Sequence, residues 1–320
     1  MPEVVDAMNC SLIILTYRWP YYQHDPEMYR KHMSDYFYFF VRGVSEPLGY
    51  VHRTAIDAMI WPEDIWEIDR NQRFLTLGGA ELEASDRTQK LQTTLQQNLA
   101  QHRVVSRWYN ESLPVYARNG VLVLNVDLSG VGLFGVISHG VHATGFVRFK
   151  RDDGSQEYQY WVPRRSYTKS AFPSMLDNFV AGNIIFGESP LEGMIREVHE
   201  ETGISPDFSR AHLRSCGTVS YQMSSLNDGC TGCQHHCQFV FELELPANMN
   251  PTPNDGEVES FTLMSLTEVQ EALMQDKFTP YGALTYLAHF VRHGILNCEN
   301  ETRIMEVCSR LHRKHELFVA

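Results

Sequence analysis

The sequence predicts an α+β protein in two parts, a small α+β module over residues 1–125 and a larger domain over 126–296, followed by a helical tail over 297–320. Three observations carry this reading. At 320 residues with 43% hydrophobic content, the chain is long enough for two domains with filled cores. Apolar residues alternate with period two over 122–128 and 141–149, as in half-buried strands. After them comes one run, residues 182–204, whose caps and apolar spacing specify a helix.

In the front module, residues 36–41 form an aromatic strand candidate and 48–51 another. Residues 54–60 read as a helix, 73–77 as a short strand, and 85–99 as an exposed helix opening at a serine cap, Ser85. His52, Trp61 and Trp66 could line a ring-binding pocket, but buried aromatics of an α+β core are the commoner case and the reading favoured here. In the segment 107–111, Trp108 and Glu111 could bridge to the next domain; the sequence leaves this open.

The strand expected at 158–163 leads into Arg164, Arg165 and Lys169. Two guanidinium groups and an ammonium beside a strand end make a phosphate cradle, because planar guanidinium groups bind phosphate oxygens through paired hydrogen bonds. Pro173 fixes a turn in the connecting segment, and Asp177 either contacts a ligand or caps that turn.

The helix at 190–202 is written locally. Ser189 is placed to cap it, Pro190 suits the first position, and Glu192 fits a Ser-x-x-Glu capping box. Leu191, Met194, Ile195 and Val198 form its core face, and Gly203 suits the left-handed residue that ends it. Glu197, Glu200 and Glu201 fall on one side, where repulsion needs an offsetting cation. Hard divalent ions with oxygen ligands supply one, so the cluster predicts Mg²⁺ or Mn²⁺ carrying a phosphorylated ligand. Arg196 can pair with Glu188 or Glu200.

After this helix, strands are expected at 213–223 and 238–245, joined by a loop at 224–237. That loop carries Cys230, Cys233, His235, His236 and Cys237, types that bind zinc. All of them lie within eight residues, whereas structural zinc draws ligand pairs from separate elements, so free thiols are expected. A turn-rich stretch at 250–259 presents Glu257 and Glu259. A strand at 260–264, helices at 266–274 and 281–293, and a peripheral amphipathic helix in the tail complete the chain.

Gly182, Glu188, Arg196, Glu197, Val198, Glu200, Glu201, Gly203 and Ile204 match every fixed position of the Nudix box, and the segment resembles the Nudix hydrolases. The resemblance implies an α/β/α sandwich and hydrolysis of a nucleoside or other organic diphosphate. It implies metal ligation by Glu197, Glu200, Glu201 and the Ala181 carbonyl, catalytic roles for Arg196, Glu197 and Glu200, and a further ligand or base at Glu257. Arg164, Arg165, Lys169, Asp177 and Tyr221 are the expected substrate contacts. Stretches at 161–166, 172–178, 217–221 and 253–258 are similar to the Nudix proteins related to thiamine pyrophosphokinase, which carry an N-terminal extension. That likeness implies conversion of oxidised or otherwise damaged thiamine diphosphate to its monophosphate. Asn183 and Ser174 depart from the glycines usual there.

Three rivals are weighed. An isopentenyl-diphosphate isomerase needs a cysteine just after the Phe-Pro turn, and none occurs between Cys10 and Cys216. A hydrolase of dinucleoside polyphosphates or ADP-ribose has a weak hint in Tyr221. A non-catalytic sensor need not keep the glutamates.

A net charge of −12 argues against nucleic-acid binding, which needs a basic face. The apolar run at 10–16 is too short to span a bilayer and lacks the flanks of a signal peptide. Seven cysteines without regular spacing fit a reducing compartment. The expected partner is a small-molecule diphosphate, the expected location the cytoplasm, and the assembly carried with them a homodimer.

Overall fold

The computed structural model describes residues 19–79, 82–150, 154, 156–169, 171–227 and 230–317; the run at 10–16 lies outside them. In the front module Pro26–Met33 (α1), Tyr36–Val41 (β1), Gly49–His52 (β2), Arg53–Ala58 (α2), Trp66–Asp69 (β3), Phe74–Leu77 (β4) and Ala84–Ala100 (α3) follow one another. The strands form a four-stranded sheet in the order β2-β1-β4-β3, with β1 and β4 parallel. Trp61 and Trp66 are core residues: the Trp66 indole N–H donates to Thr94 Oγ1 at 2.7 Å and that of Trp61 to the Ile56 carbonyl at 3.0 Å. His52 caps α2 through Nδ1. Helix α3 starts one residue before Ser85, with Glu83 in the cap position and no side-chain cap bond. It is not simply exposed, since Leu91, Thr94, Leu95 and Asn98 are buried.

Ser112–Tyr116 (β5) and Leu122–Asp127 (β6) pair as a two-stranded ribbon, and Leu128–Phe134 (α4) follows. The main sheet is then laid down by Ile137–Lys150 (β7), Gln156–Arg165 (β8), Val180–Asn183 (β9), Arg214–Asn227 (β10), Cys230–Glu244 (β11) and Val258–Ser265 (β12). Its order is β10-β11-β7-β8-β12, with β9 paired to β7. Pro190–Thr202 (α5) and Pro206–His212 (α6) precede β10; Leu266–Met274 (α7), Pro280–Arg292 (α8) and Ile304–Arg310 (α9) follow β12.

Alternation along the strands makes this sheet the middle of a sandwich. Val141, Ala143, Val147, Phe241 and Leu243 are buried with Met194 and Val198 of α5. Phe146, Tyr160, Val219 and Val240 are buried instead with Leu284, Leu287 and Phe290 of α8. The fold is therefore helix, sheet, helix, with α5 and α8 on opposite faces.

Two expectations are corrected here. The segment 224–237 is largely strand, because β10 and β11 pair through Asn227↔Cys230. Strand alternation then puts Cys233, His235 and Cys237 on one face and Cys230 and His236 on the other, and among the described residues none of these five belongs to a group of three or more ligand atoms close enough to share an ion. The tail is not peripheral either. Val307, Leu311 and Leu317 are buried, and the Arg313 guanidinium, fully buried, donates to the carbonyls of Trp19 and Pro20 and lies 3.8 Å over the Tyr21 ring.

Candidate active site

Helix α5 begins where the sequence places it, with the Ser189 hydroxyl accepting from the Glu192 N–H at 3.3 Å, and ends at Gly203 with φ 70°. The reciprocal half of the capping box is replaced: the Glu192 carboxylate takes two bonds from Arg210, at 2.7 and 2.8 Å. A bidentate guanidinium is a stronger donor than one backbone N–H. Met194, Ile195 and Val198 are buried as expected, whereas Leu191, in the first turn, is exposed.

Two of the three glutamates, Glu197 and Glu200, bond to Arg196, whereas Glu201 does not. Arg196 stands at the centre of four acceptors, giving Nε and Nη2 to Glu188 at 2.7 and 3.0 Å, Nη1 to Glu197 at 2.7 Å and to Glu200 at 2.9 Å, and Nη2 to the Asn183 carbonyl at 3.0 Å. The ion pairs, the one to Glu188 foremost, hold the guanidinium's proton above its ordinary range. Glu197 nevertheless keeps a high proton affinity, pushed up to about 7, because burial outweighs the attraction of Arg196. Its carboxylate packs on Gly182, where a Cβ would stand 1.9 Å from Glu197 Oε1. A side chain at this position would therefore push the Glu197 carboxylate aside.

Glu201 points elsewhere. It is 6% exposed, no hydrogen bond reaches its carboxylate from the described residues, and burial followed by Glu197, Asp255, Glu257 and Asp177 raises its pKa well above the usual range. It lines a small cleft, with a volume of about 30 Å³, together with Arg165, Lys169, Asp177, Asn178, Ala181 and Glu257. Four of the expected site residues besides Glu201 and Ala181 thus meet here: Arg165, Lys169, Asp177 and Glu257. Asp177 is buried, accepting Arg165 Nη1 at 2.8 Å and the Thr279 hydroxyl at 2.6 Å. Lys169 Nζ donates to Glu257 Oε2 at 2.5 Å.

Two expected contacts lie outside the cleft. Arg164 is exposed and gives Nη1 to the Ser174 carbonyl at 2.7 Å, because successive residues of β8 point to opposite faces. Tyr221 is buried on the α8 face, stacked on Tyr281 with ring centroids 5.4 Å apart, and its hydroxyl accepts from Gln238. Conversely, Glu111 comes in from the front module: Oε1 accepts from Asn183 Nδ2 at 2.7 Å, and burial raises its pKa. The bond thus ties Glu111 to the strand that opens the box, and Asn183 is the side chain that makes it. Ser174 and Phe172 have φ of 60° and 51°, so the turn leading to Asp177 uses left-handed backbone where glycine would be at ease.

The donor set fits a hard divalent cation. Glu201 is a buried carboxylate with no donor from the described residues, flanked by further acids, an arrangement that positive charge stabilises. Beside it, Asn178 Oδ1 and Arg165 Nε are buried polar atoms without a hydrogen-bond partner among the described residues, leaving one acceptor and one donor to a ligand. A group of three ligand atoms within 4.8 Å does exist elsewhere, at Glu242, His289 and His293.

The NUDIX domain family model matches residues 142–283. An uncharacterized protein of Saccharomyces cerevisiae is 35% identical over 217 residues, covering 66% of this chain and 62% of that protein. The chain thus spans less than two thirds of that relative's length. Nudix hydrolase 20, chloroplastic, of Arabidopsis thaliana is 28% identical over 262 residues, covering 79% of this chain and 67% of the plant protein. A crystal structure from Deinococcus radiodurans covers 56% of this chain and 98% of its own, with 22% identity and a TM-score of 0.39.

Proposed function

We propose that this protein, whose residues 142–283 match the NUDIX domain model, is a divalent-metal-dependent hydrolase of an organic diphosphate. The observation that carries the reading is Glu201, buried without a donor from the described residues, in one cleft with Arg165 and Lys169. A bare carboxylate facing two cations across a small cavity is suited to ion and phosphate together.

Mg²⁺ or Mn²⁺ would be held by Glu201 and the Ala181 carbonyl, which share the cleft, together with Glu197 and Glu200 of the same helix, and would supply charge neutralisation at the diphosphate. The chain's own groups do the rest. Arg165 and Lys169 bind phosphate oxygens as charge develops on them. Arg196 is a positioning residue, fixing Glu188, Glu197 and Glu200 against one another. Water attacks phosphorus, its oxygen forming the new P–O bond as the anhydride P–O bond breaks. Glu257, whose Oε2 now accepts from Lys169, takes the proton. Positioning and electrostatics suffice for this step, and no protein nucleophile is used.

The substrate we propose is oxidised or otherwise damaged thiamine diphosphate, cut to its monophosphate. The sequence likeness over 161–166, 172–178, 217–221 and 253–258 and the presence of a front module support it, as does the entry of Glu111 at the box. The expected setting is the cytoplasm, supported by free thiols at Cys216, Cys233, Cys237, Cys298 and Cys308. Among the described residues no helix is long and apolar enough to cross a membrane.

The test is phosphate release by purified protein with Mg²⁺ from thiamine diphosphate, its oxidised analogues, ADP-ribose, diadenosine polyphosphates and isopentenyl diphosphate. Turnover confined to the thiamine series is expected. Faster turnover of ADP-ribose would remove the substrate assignment and leave the hydrolase standing. Glu200→Gln and Glu201→Gln are each expected to lower kcat by about 100-fold or more with unchanged circular dichroism; wild-type rates would overturn the site.

A further inference from the structure

On the face of the main sheet away from α5, strand β11 and helix α8 bring together Glu242, His289 and His293. Glu242 and His289 are buried, while the His293 side chain, at 28% exposure, opens the group to solvent. The i,i+4 spacing sets both imidazoles on one side of α8, with ring centroids 4.3 Å apart. His289 Nδ1 lies 2.8 Å from Glu242 Oε1, and His293 Nε2 lies 3.0 Å from both carboxylate oxygens.

We propose that these three side chains are a binding site for a borderline divalent transition-metal ion such as Zn²⁺, distinct from the Glu-rich helix on the other face. Two imidazole nitrogens and one carboxylate oxygen are ligand types zinc takes, and three protein ligands leave a position open. Nitrogen donors select against Mg²⁺, which takes oxygen. The partners around the trio are those a metal site needs. The other nitrogen of His289, Nε2, lies 3.3 Å from the Tyr160 hydroxyl, and Arg292 Nε donates to Glu242 Oε1 at 3.0 Å. Without an ion, each ring nitrogen facing Glu242 carries a proton to bond the carboxylate. Binding moves that proton to the ring's other nitrogen, where for His289 the Tyr160 hydroxyl accepts it. The ion ties the C-terminal end of α8 to β11. The residue capping the N-terminal end, Thr279, donates to Asp177 in the cleft, so the same helix links the two sites.

The competing account is an ion-pair network in which Arg292 and two neutral imidazoles satisfy Glu242 with no metal. The experiment uses the full chain, tag-free and chelator-stripped, with excess Mg²⁺ present to occupy the carboxylates of α5. Zn²⁺ is titrated against a chromophoric chelator. One equivalent is expected to bind, with His293→Ala and Glu242→Gln each weakening it by at least about 10-fold; Zn²⁺ should raise Tm for the wild type and not for His293→Ala. His293 is partly exposed, so its replacement preserves the fold and carries the test even where Glu242→Gln does not fold. Absence of saturable Zn²⁺ binding, or equal affinity in His293→Ala, would overturn the proposal.

Discussion

Replacing Gly182 by alanine tests how tightly the box is assembled. The backbone there is ordinary strand, so alanine restricts the unfolded chain and by itself stabilises by about 0.4–1 kcal/mol. The new methyl, however, would stand 1.9 Å from Glu197 Oε1, 2.0 Å from Cδ and 2.6 Å from Cγ, about 1.5 Å short of van der Waals contact. Glu197 must swing away, and in doing so it loses Arg196 Nη1, now at 2.7 Å. A buried charge-assisted bond contributes about 1.5–3 kcal/mol, so the net loss is about 1–2 kcal/mol, a drop in Tm of several degrees. Displacing a metal-binding carboxylate by more than an ångström costs about 100-fold in rate. Initial rates of phosphate release and a thermal melt measure the two effects. Adding Glu197→Asp draws the carboxylate back from the methyl and is expected to recover most of the lost Tm. Wild-type rate and Tm in Gly182→Ala would show that Glu197 does not pack on this glycine in solution.

Two further outcomes follow from buried groups. His315 is buried and its pKa is lowered from 6.5 to about 4, chiefly by desolvation. The unfolded chain therefore binds the extra proton first: stability is complete above pH 6.5 and falls as the pH drops through 4, by up to about 3 kcal/mol for this group. Urea unfolding between pH 7 and pH 4 should show a shallower loss in His315→Gln; equal slopes would contradict it. Thr94→Val leaves the Trp66 indole N–H buried without its acceptor and is expected to destabilise by about 1–3 kcal/mol, read as a lower urea midpoint.

Helix α5 is legible because all that defines it is local: Ser189, Pro190, the spacing of Met194, Ile195 and Val198, and Gly203 lie within 15 residues of one another. The pairing of Arg196 with both Glu188 and Glu200 is legible for the same reason. What fails is whatever another segment decides. That Glu201 lines the cleft with Arg165 of β8, Ala181 of β9 and Glu257, while Glu197 and Glu200 bond to Arg196, is set by those other segments. Glu111 reaches Asn183 across 72 residues, a contact no spacing could announce. Pairing with β10 drew the Cys- and His-rich segment into a strand, overriding the loop that its composition suggested. The short helix α4 was missed because Gly130 and Gly132 weaken its propensity.

The bond from Arg313 to the Trp19 carbonyl spans 294 residues, and it bears on the order in which this chain can fold. Trp19, Tyr36 and Tyr50 are sealed together with Cys233 and Leu317, so their aromatic surface stays open until segments far along the chain have come back to it. Contacts so distant in sequence are slow to form, and this seam closes after the local hairpins and helices on either side of it.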